Sequence, residues 1–473
     1  MKKSWVAFVF VLFFGKQESF GSDIPSVIHH SVRMKTVLKE NQLQAEDRLT
    51  IKNSANRELI TIPILLYRLL IVENVTDSNG MPIDFTQEIR VFEDEKSWQV
   101  NAVTIKLPSP LLPFAMTTFT IQYTGYIFGY QEVMQYVRDR IDETYTLIRP
   151  DALAYPMVAF PRYSSLMKAY ESQFSFDIHV TVPSAYTVAA GGVFDGMLST
   201  GDSTTFSYRS HSPTWRMDIA VAKFKPLRDS SENLSVYVLP EDESGGVYVL
   251  KEMKRVIDFY SGFLGKVKQL RGFTSIEIPD GWGSQANGDY FLQSAAAFKD
   301  STRISEMYHE ISHTWNVQAK IEVKRCRYFD EAFASYFESL AEREFRGEQT
   351  FQTDMEKSRD NFLRWANYDK RNFNTPIADY WKEELGRNSY TKGAWSLYVL
   401  HQLIGENDFK QCMRTLLAEF ADRPIDFLDF QGLCEKISSK SLKKFFDEWI
   451  YGAESSNLLS NKIPIEDIVK RYR

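Results

Sequence analysis

The sequence predicts an α+β chain, with an antiparallel β domain over residues 22–239 followed by a mostly helical domain over 240–473. Three observations predict it. Up to Leu239, short apolar runs alternate with turn residues. From Val247 onward, apolar residues recur at helical spacing. Within that second part stands His309-Glu310-Ile311-Ser312-His313, whose four-residue interval sets two imidazoles on one face of a helix.

The first element is residues 1–21, which read as a secretory signal peptide. Lys2 and Lys3 form its charged start, Trp5 to Phe14 its apolar run and Ser19-Phe20-Gly21 a cleavage site. The apolar run is too short to span a bilayer. An uncleaved anchor or a buried helix is the alternative. The reading implies a secreted or periplasmic chain with no stable membrane insertion after signal removal.

Composition fits that reading. Of 473 residues, 44% are hydrophobic and 25% charged, ordinary globular values, and the length allows two or three domains. The formal net charge is −6, which argues against nucleic acid or an anionic membrane as the main partner. Cys326, Cys412 and Cys434 form an odd set, so at least one thiol is unpaired within the chain, and whether Cys412 meets Cys434 stays open. Cys326 reads as a small core residue.

Within the β domain, Arg48 to Ile51, Phe119 to Tyr123 and Phe176 to Val182 read as strands, while Asp77 to Gly80 and Ser199 to Asp202 read as turns. One helix is suggested at Gln131 to Asp142. Pro240 to Gly246 is a polar, glycine-containing linker. Beyond it, Leu250, Met253, Val256, Ile257, Tyr260 and Leu264 form one helical stripe. Thr274 to Ile278 reads as a strand, and Asp289 to Phe298 as an edge strand able to pair with an extended peptide, or as a plain hairpin.

The chemistry centres on residues 309–345. Two imidazoles at this spacing bind one Zn²⁺ at roughly 2.0–2.1 Å. Glu310, turned away from the ligand face, is placed to act as a general base on a water. Glu331 opens a second helical segment running to Phe345, in which Phe333, Phe337, Leu340 and Ala341 mark a core face. An antiparallel return would bring Glu331 back as the third ligand; a capping or solvated acid is the alternative. Glu338 lies two turns further along the same face and is placed to orient a ligating histidine, or is a surface charge.

His309-Glu310-Ile311-Ser312-His313-Thr314-Trp315 followed by Phe329-Asp330-Glu331-Ala332-Phe333-Ala334-Ser335-Tyr336 resembles the zinc aminopeptidases of the aminopeptidase-N and leukotriene-hydrolase family, gluzincins with an HExxH…E signature. Residues 314–330 make the loop one residue shorter than the family's, and Ala332 stands for its usual glycine. Trp315-Asn316 is also similar to the glycyl aminopeptidase group. The resemblance implies a saddle-like N-terminal β domain, to which Phe174 to Gly192 and Ser212 to Lys225 are loosely similar. It also implies a thermolysin-like catalytic domain with one Zn²⁺ held by His309, His313 and Glu331.

The same resemblance assigns Asn388 to Ala394 to the family's Tyr-x-Lys-Gly motif, which makes Tyr390 the donor to the oxyanion, a core tyrosine being the alternative; Lys392 reads as a solvated charge. Gly283-Ser284-Gln285-Ala286-Asn287 matches the place of the family's Gly-Ala-Met-Glu-Asn substrate motif, with Ala286 where a glutamate normally holds the substrate's amino terminus. Leu397 to Leu403, Phe409 to Phe420 and Leu442 to Trp449 read as further amphipathic helices. The likeness is to a short form of the family, without the large C-terminal helical domain.

The expected function is zinc-dependent hydrolysis of peptides or proteins, aminopeptidase-like by resemblance. Ala286 keeps endopeptidase or oligopeptidase action open, and a non-catalytic peptide-binding protein on the same scaffold is a further alternative. His29, His30, His179, His211 and His401 have no ligand spacing and read as structural or surface residues.

Overall fold

The computed structural model describes residues 24–129, 137–230, 233–266, 272–421 and 423–473. The expected signal peptide over 1–21 lies outside the described residues, as does most of the helix suggested at Gln131 to Asp142; residues 137–142 of that stretch are not helical. The chain divides into two compact units. A β-rich unit takes the described residues up to Tyr248 together with Gly272–Lys299, and a helical unit takes Val249–Arg271 and Asp300–Arg473.

The β-rich unit is built on a seven-stranded sheet in the order Val193–Thr200, Ser203–Arg209, Ser175–Pro183, Ser26–Val37, Gln42–Lys52, Met116–Tyr126, Leu70–Asp77. All its joins are antiparallel except that of Ser26–Val37 with Ser175–Pro183. Phe176, Ile178, Val180 and Val182 alternate inward along one strand, and Leu43, Ala45, Leu49 and Ile51 along another, as the period of two requires. His30 belongs to this core: its Nδ1 lies 2.7 Å from Asp47 Oδ2, both side chains being buried. A four-stranded sheet (Phe85–Val91, Gln99–Leu111, Leu59–Tyr67, Met157–Val158) and a three-stranded one (Thr187–Ala190, Ile219–Ala222, Thr146–Ile148) complete the strands that precede Lys225.

A five-stranded mixed sheet runs Lys225–Asp229, Leu234–Val238, Phe273–Ile278, Tyr290–Ser294, Gln285–Asn287. Its three middle strands are parallel, and the helix Glu243–Leu264 lies between the first two of them in sequence, a βαβ connection. One expectation is corrected here. The edge strand is Gln285–Asn287, not Asp289 to Phe298. Tyr290–Ser294 is paired on both sides because Tyr290, Phe291, Leu292 and Gln293 are buried in succession, the pattern of an interior parallel strand, and Ala296–Lys299 is helical.

The helical unit contains Ser305–Ser312, Phe333–Arg346, Glu348–Tyr368, Lys392–Ile404, Glu406–Glu419, Phe427–Ser438 and Lys443–Trp449. Phe333, Phe337, Leu340 and Ala341 are buried as the periodicity predicts. Phe427–Ser438 starts at a reciprocal cap, in which Asp426 Oδ1 accepts from the Asp429 N–H at 2.8 Å and Asp429 Oδ2 from the Asp426 N–H at 3.2 Å. Lys392 is a second correction. It is buried, with its Nζ donating to Ser456 Oγ at 3.0 Å, because the helix Lys392–Ile404 is covered on nearly every side. Cys326, Cys412 and Cys434 are free and buried.

Candidate metal centre

Three chain segments of the helical unit build the site. The helix Ser305–Ser312 carries His309 and Glu310 and buries Met307, Tyr308 and Ile311 against the core. Tyr260 Oη donates to the Tyr308 carbonyl at 3.0 Å, which fixes the helix along its length. His313 opens a 3₁₀ turn, His313–Trp315, but keeps right-handed dihedrals (φ −56°, ψ −20°), so the one-turn relation to His309 survives. Trp315 pins the turn by donating from Nε1 to the Gly265 carbonyl at 2.8 Å. The two imidazole centroids are 5.0 Å apart.

Glu331 sits in a π-helical turn, Tyr328–Ala332, which leads into the helix Phe333–Arg346. Such wide turns inside helices often mark functional positions. Here the turn is held from below by aromatic packing: Tyr328 meets Phe427 at 5.2 Å between centroids and Phe329 meets Phe430 at 5.5 Å. Arg327, immediately before the turn, has φ 59° and reverses the chain after the short helix Ile321–Cys326.

The third segment is the 3₁₀ stretch Gly386–Tyr390, which runs into Lys392–Ile404. Gly393 lets this helix approach the π turn: a Cβ there would stand 2.7 Å from the Ala332 Cβ. The approach sets the Tyr390 ring flat on His309, 5.8 Å between centroids and 5° between planes. Its hydroxyl end faces Glu331, and burial followed by that carboxylate's charge raises the phenol well above its ordinary range.

The nitrogen atoms of the two histidines are sorted by their partners. His309 Nε2 lies 3.1 Å and His313 Nε2 3.7 Å from Glu331 Oε2. The opposite nitrogens face outward: His309 Nδ1 lies 3.2 Å from Glu338 Oε2, and His313 Nδ1 lies 3.0 Å from Asp330 Oδ1, with the Asn316 amide nitrogen 2.8 Å away. Carboxylates at Nδ1 hold each Nδ1–H and leave the Nε2 lone pair turned inward. Glu331 divides its oxygens in the same way, Oε2 toward the imidazoles and Oε1 on the Arg327 guanidinium. Asp330 is tied to the same arginine, Nε to Oδ2 at 2.7 Å.

Electrostatics follow from this packing. Burial opposes the charged imidazole, yet Glu331 and Glu338 raise His309 well above its ordinary value, and Asp330 does the same for His313. Burial also opposes charge on Glu331 and Asp330; Arg327 and the histidines outweigh it and hold both carboxyls below the usual range. Burial lifts Glu310 above the usual range, with the two histidines pulling against the shift.

The donor set fits a metal ion. One ligand atom each from His309, His313 and Glu331 lies within 4.8 Å of the others, and among the described residues only this group of histidine, cysteine and carboxylate side chains converges so. Two imidazoles and one carboxylate are the three protein ligands of a catalytic zinc site with a position left open.

The sequence of the stretch that builds this site matches a family model over residues 290–449, described as the peptidase family M1 domain. This agrees with the aminopeptidase-N-like likeness of the sequence motifs. Human glutamyl aminopeptidase is 20% identical over 90% of this chain, and probable aminopeptidase 2 of Sulfurisphaera tokodaii is 23% identical over 58% of it. The chain spans 46% and 38% of the length of those relatives, respectively. Among solved structures, the M1 zinc metallopeptidase from Deinococcus radiodurans superposes with a TM-score of 0.58 at 17% identity, covering 93% of this chain and 94% of that one. A point mutant of it bound to a Tyr-Ser-Ala substrate gives 0.59 at 17% identity, covering 91% and 95%. The fold is therefore that of the M1 metallopeptidases, a β-rich part followed by a helical one.

Of the residues named from sequence, His309, Glu310, His313, Glu331, Glu338 and Tyr390 come together in the helical unit. Gly283, Ser284, Gln285, Ala286 and Asn287 belong to the β-rich unit. There Arg149 Nη2 donates to the Trp282 carbonyl at 2.7 Å and Nη1 to that of Gly283 at 3.4 Å. Gln285 Nε2 donates to Asp151 at 3.1 Å and Asn287 Nδ2 to Thr214 Oγ1 at 2.7 Å. Three polar residues of the centre are given no role by the sequence reading: Asn316, Arg327 and Asp330. Asp330, beside the ligand Glu331, was the readable signal. Arg327 carried none, since its role depends on the chain reversal at its own position.

Proposed function

We propose that this chain is a zinc-dependent metallopeptidase that hydrolyses peptide bonds, with aminopeptidase-like action as the leading reading. The observation that carries it is the convergence of two imidazole nitrogens and one carboxylate oxygen within 4.8 Å, with Glu310 next to His309 in the chain and Tyr390 stacked on His309. His309, His313 and Glu331 would hold one Zn²⁺, which when bound supplies Lewis acidity toward the scissile carbonyl and toward water. Glu310 accepts the proton of the attacking water on its carboxylate and delivers it to the leaving amine nitrogen. Tyr390 donates its hydroxyl proton in a hydrogen bond to the carbonyl oxygen as that oxygen gains charge. Glu338 and Asp330 keep the histidines oriented, and Asn316 donates from Nδ2 to Asp330 Oδ1.

Amino-terminal trimming is supported by the names of the relatives, both aminopeptidases. A second reading, endopeptidase or oligopeptidase action, is favoured by Ala286, whose methyl group cannot hold an ammonium. Gly283 to Asn287 is assigned to substrate binding in either case, with peptides or proteins as substrates. The Lys2 to Phe14 pattern supports a secreted or periplasmic location. Cleavage of a peptide library, mapped by mass spectrometry with and without a chelator, tests the whole reading. Chelator-sensitive cuts after the first residue are expected. Cuts confined to internal bonds of amino-blocked peptides support the second reading, and a zinc-loaded chain that cuts nothing overturns both.

A further inference from the structure

The β-rich unit carries a feature that the proposed chemistry does not use. The turn joining Gln99–Leu111 to Met116–Tyr126 reads Leu112-Pro113-Phe114-Ala115. Leu112, Phe114 and Met116, with Ile60 next to Leu59 (which pairs with Leu111), are each more than half exposed. Four large apolar side chains are thus presented outward around one short turn.

The turn is ordered, not loose. The Ala115 N–H donates to the Leu112 carbonyl at 3.1 Å and the Phe114 N–H to the Asn53 carbonyl at 3.0 Å. The Asn53 side chain, fully buried, donates to the carbonyls of Leu111 at 2.9 Å, Leu112 at 3.1 Å and Arg57 at 2.8 Å. Phe114 has φ 63°. The third position of a turn with proline second and positive φ third favours glycine, since a Cβ there is strained. The turn therefore holds a phenylalanine where glycine would be unstrained, and the ring points to solvent, where packing does not offset the strain. Strained backbone of this kind clusters at functional positions.

Charged residues flank the tip, Lys52 on one strand and exposed Arg57 and Glu58 at its foot. Lys52 pairs directly with Met116 across the strands, so its side chain leaves the same face. Arg57 is exposed at the foot of the turn. We propose that this tip inserts reversibly into the interfacial layer of a phospholipid bilayer, with Ile60, Leu112, Phe114 and Met116 among the acyl chains and Lys52 and Arg57 at the level of the phosphates. An aromatic ring with aliphatic neighbours suits that layer, and cations beside it match the lipid phosphates. A convex turn of this size offers far less than the roughly 800 Å² per partner of a stable protein interface, but it can enter the roughly 5–10 Å depth that interfacial segments occupy.

Cosedimentation of the whole chain with vesicles of phosphatidylcholine and phosphatidylglycerol in equal parts tests this. The wild type should bind, and Phe114→Gly should bind roughly tenfold more weakly. Because glycine suits a positive φ, the thermal midpoint of Phe114→Gly should equal or exceed that of the wild type, which separates lost binding from lost folding. Phe114→Trp should gain fluorescence that brominated lipid quenches. The proposal is overturned by a wild type that does not sediment with vesicles, by Phe114→Gly binding as the wild type does, or by an unquenched Trp at position 114. It is equally overturned if Phe114→Gly changes the oligomeric state without lipid, which would make the tip a contact with a second copy.

Discussion

Arg327 and Glu331 form an ion pair in which the arginine takes the one carboxylate oxygen, Oε1, that the histidines leave. The pairing fixes which lone pairs of Glu331 face His309 and His313, and it separates the neighbouring carboxylates of Asp330 and Glu331 with one positive charge.

Arg327→Gln is therefore expected to weaken zinc retention about 10–100-fold, the usual effect of removing a partner of a ligand. Competition with a chromogenic chelator measures this independently of turnover. Arg327→Lys should recover only part of the loss, because a point charge lacks the planar fork. Unchanged retention in Arg327→Gln would reduce the pair to a surface feature.

Glu310→Gln removes the proton acceptor without touching a ligand atom. Turnover should fall about a thousandfold while zinc content per chain stays at one equivalent. Comparable activity in the variant would place the proton transfer on another group.

Tyr390→Phe keeps the ring stacked on His309 and deletes only the hydroxyl. The expected loss is about 3 kcal/mol of transition-state stabilisation, seen in kcat with little change in KM. An equal rise in KM with kcat unchanged would instead assign Tyr390 to substrate binding.

Lys392 gives a dependence of stability on pH. Burial lowers its ammonium from 10.5 to about 7, while Glu454 pulls the other way. In the unfolded chain the lysine keeps its ordinary value, so between about 7 and 10.5 the unfolded state binds more protons. Wild-type stability should thus rise with pH through that window relative to Lys392→Met, and the difference should be flat below it. Parallel urea denaturation of both proteins across the window measures the slope. Identical pH profiles would show that the lysine is not titrating.

Gly393→Ala tests how the catalytic segments are spaced. An added methyl would meet the Ala332 Cβ at 2.7 Å and the Ser389 Cβ at 3.3 Å, so either the π turn or the Gly386–Tyr390 stretch must move. A stability loss of about 1–3 kcal/mol, with a fall in turnover beyond what the lost stability explains, is expected from thermal unfolding and kinetics together.

Much of this molecule is written locally. The helical spacing of His309 and His313, the adjacency of Glu310 and the core face of Phe333, Phe337, Leu340 and Ala341 all follow from short-range periodicity. The division between strand-rich and helix-rich parts was legible for the same reason. Glu331 and Glu338 were legible because both lie on one predicted helix that has to return to the first.

Other features depended on which surfaces meet. Lys392 reads as a solvated charge from its own residue type; only the packing around Lys392–Ile404 buries it. Asp289 to Phe298 reads as an edge strand until Phe273–Ile278 and Gln285–Asn287 are seen to flank its strand, Tyr290–Ser294. The π turn, the left-handed Arg327 and its hold on Glu331 arise from long-range contacts with Phe427, Phe430 and Gly393, which lie tens of residues away. The sequence by itself determined the ligand types, their spacing and the general base, because these follow from one turn of helix. The tertiary structure alone decided which oxygen of Glu331 faces the histidines, which partners orient their rings and how Tyr390 is brought against His309, because each depends on segments that meet only when the chain folds.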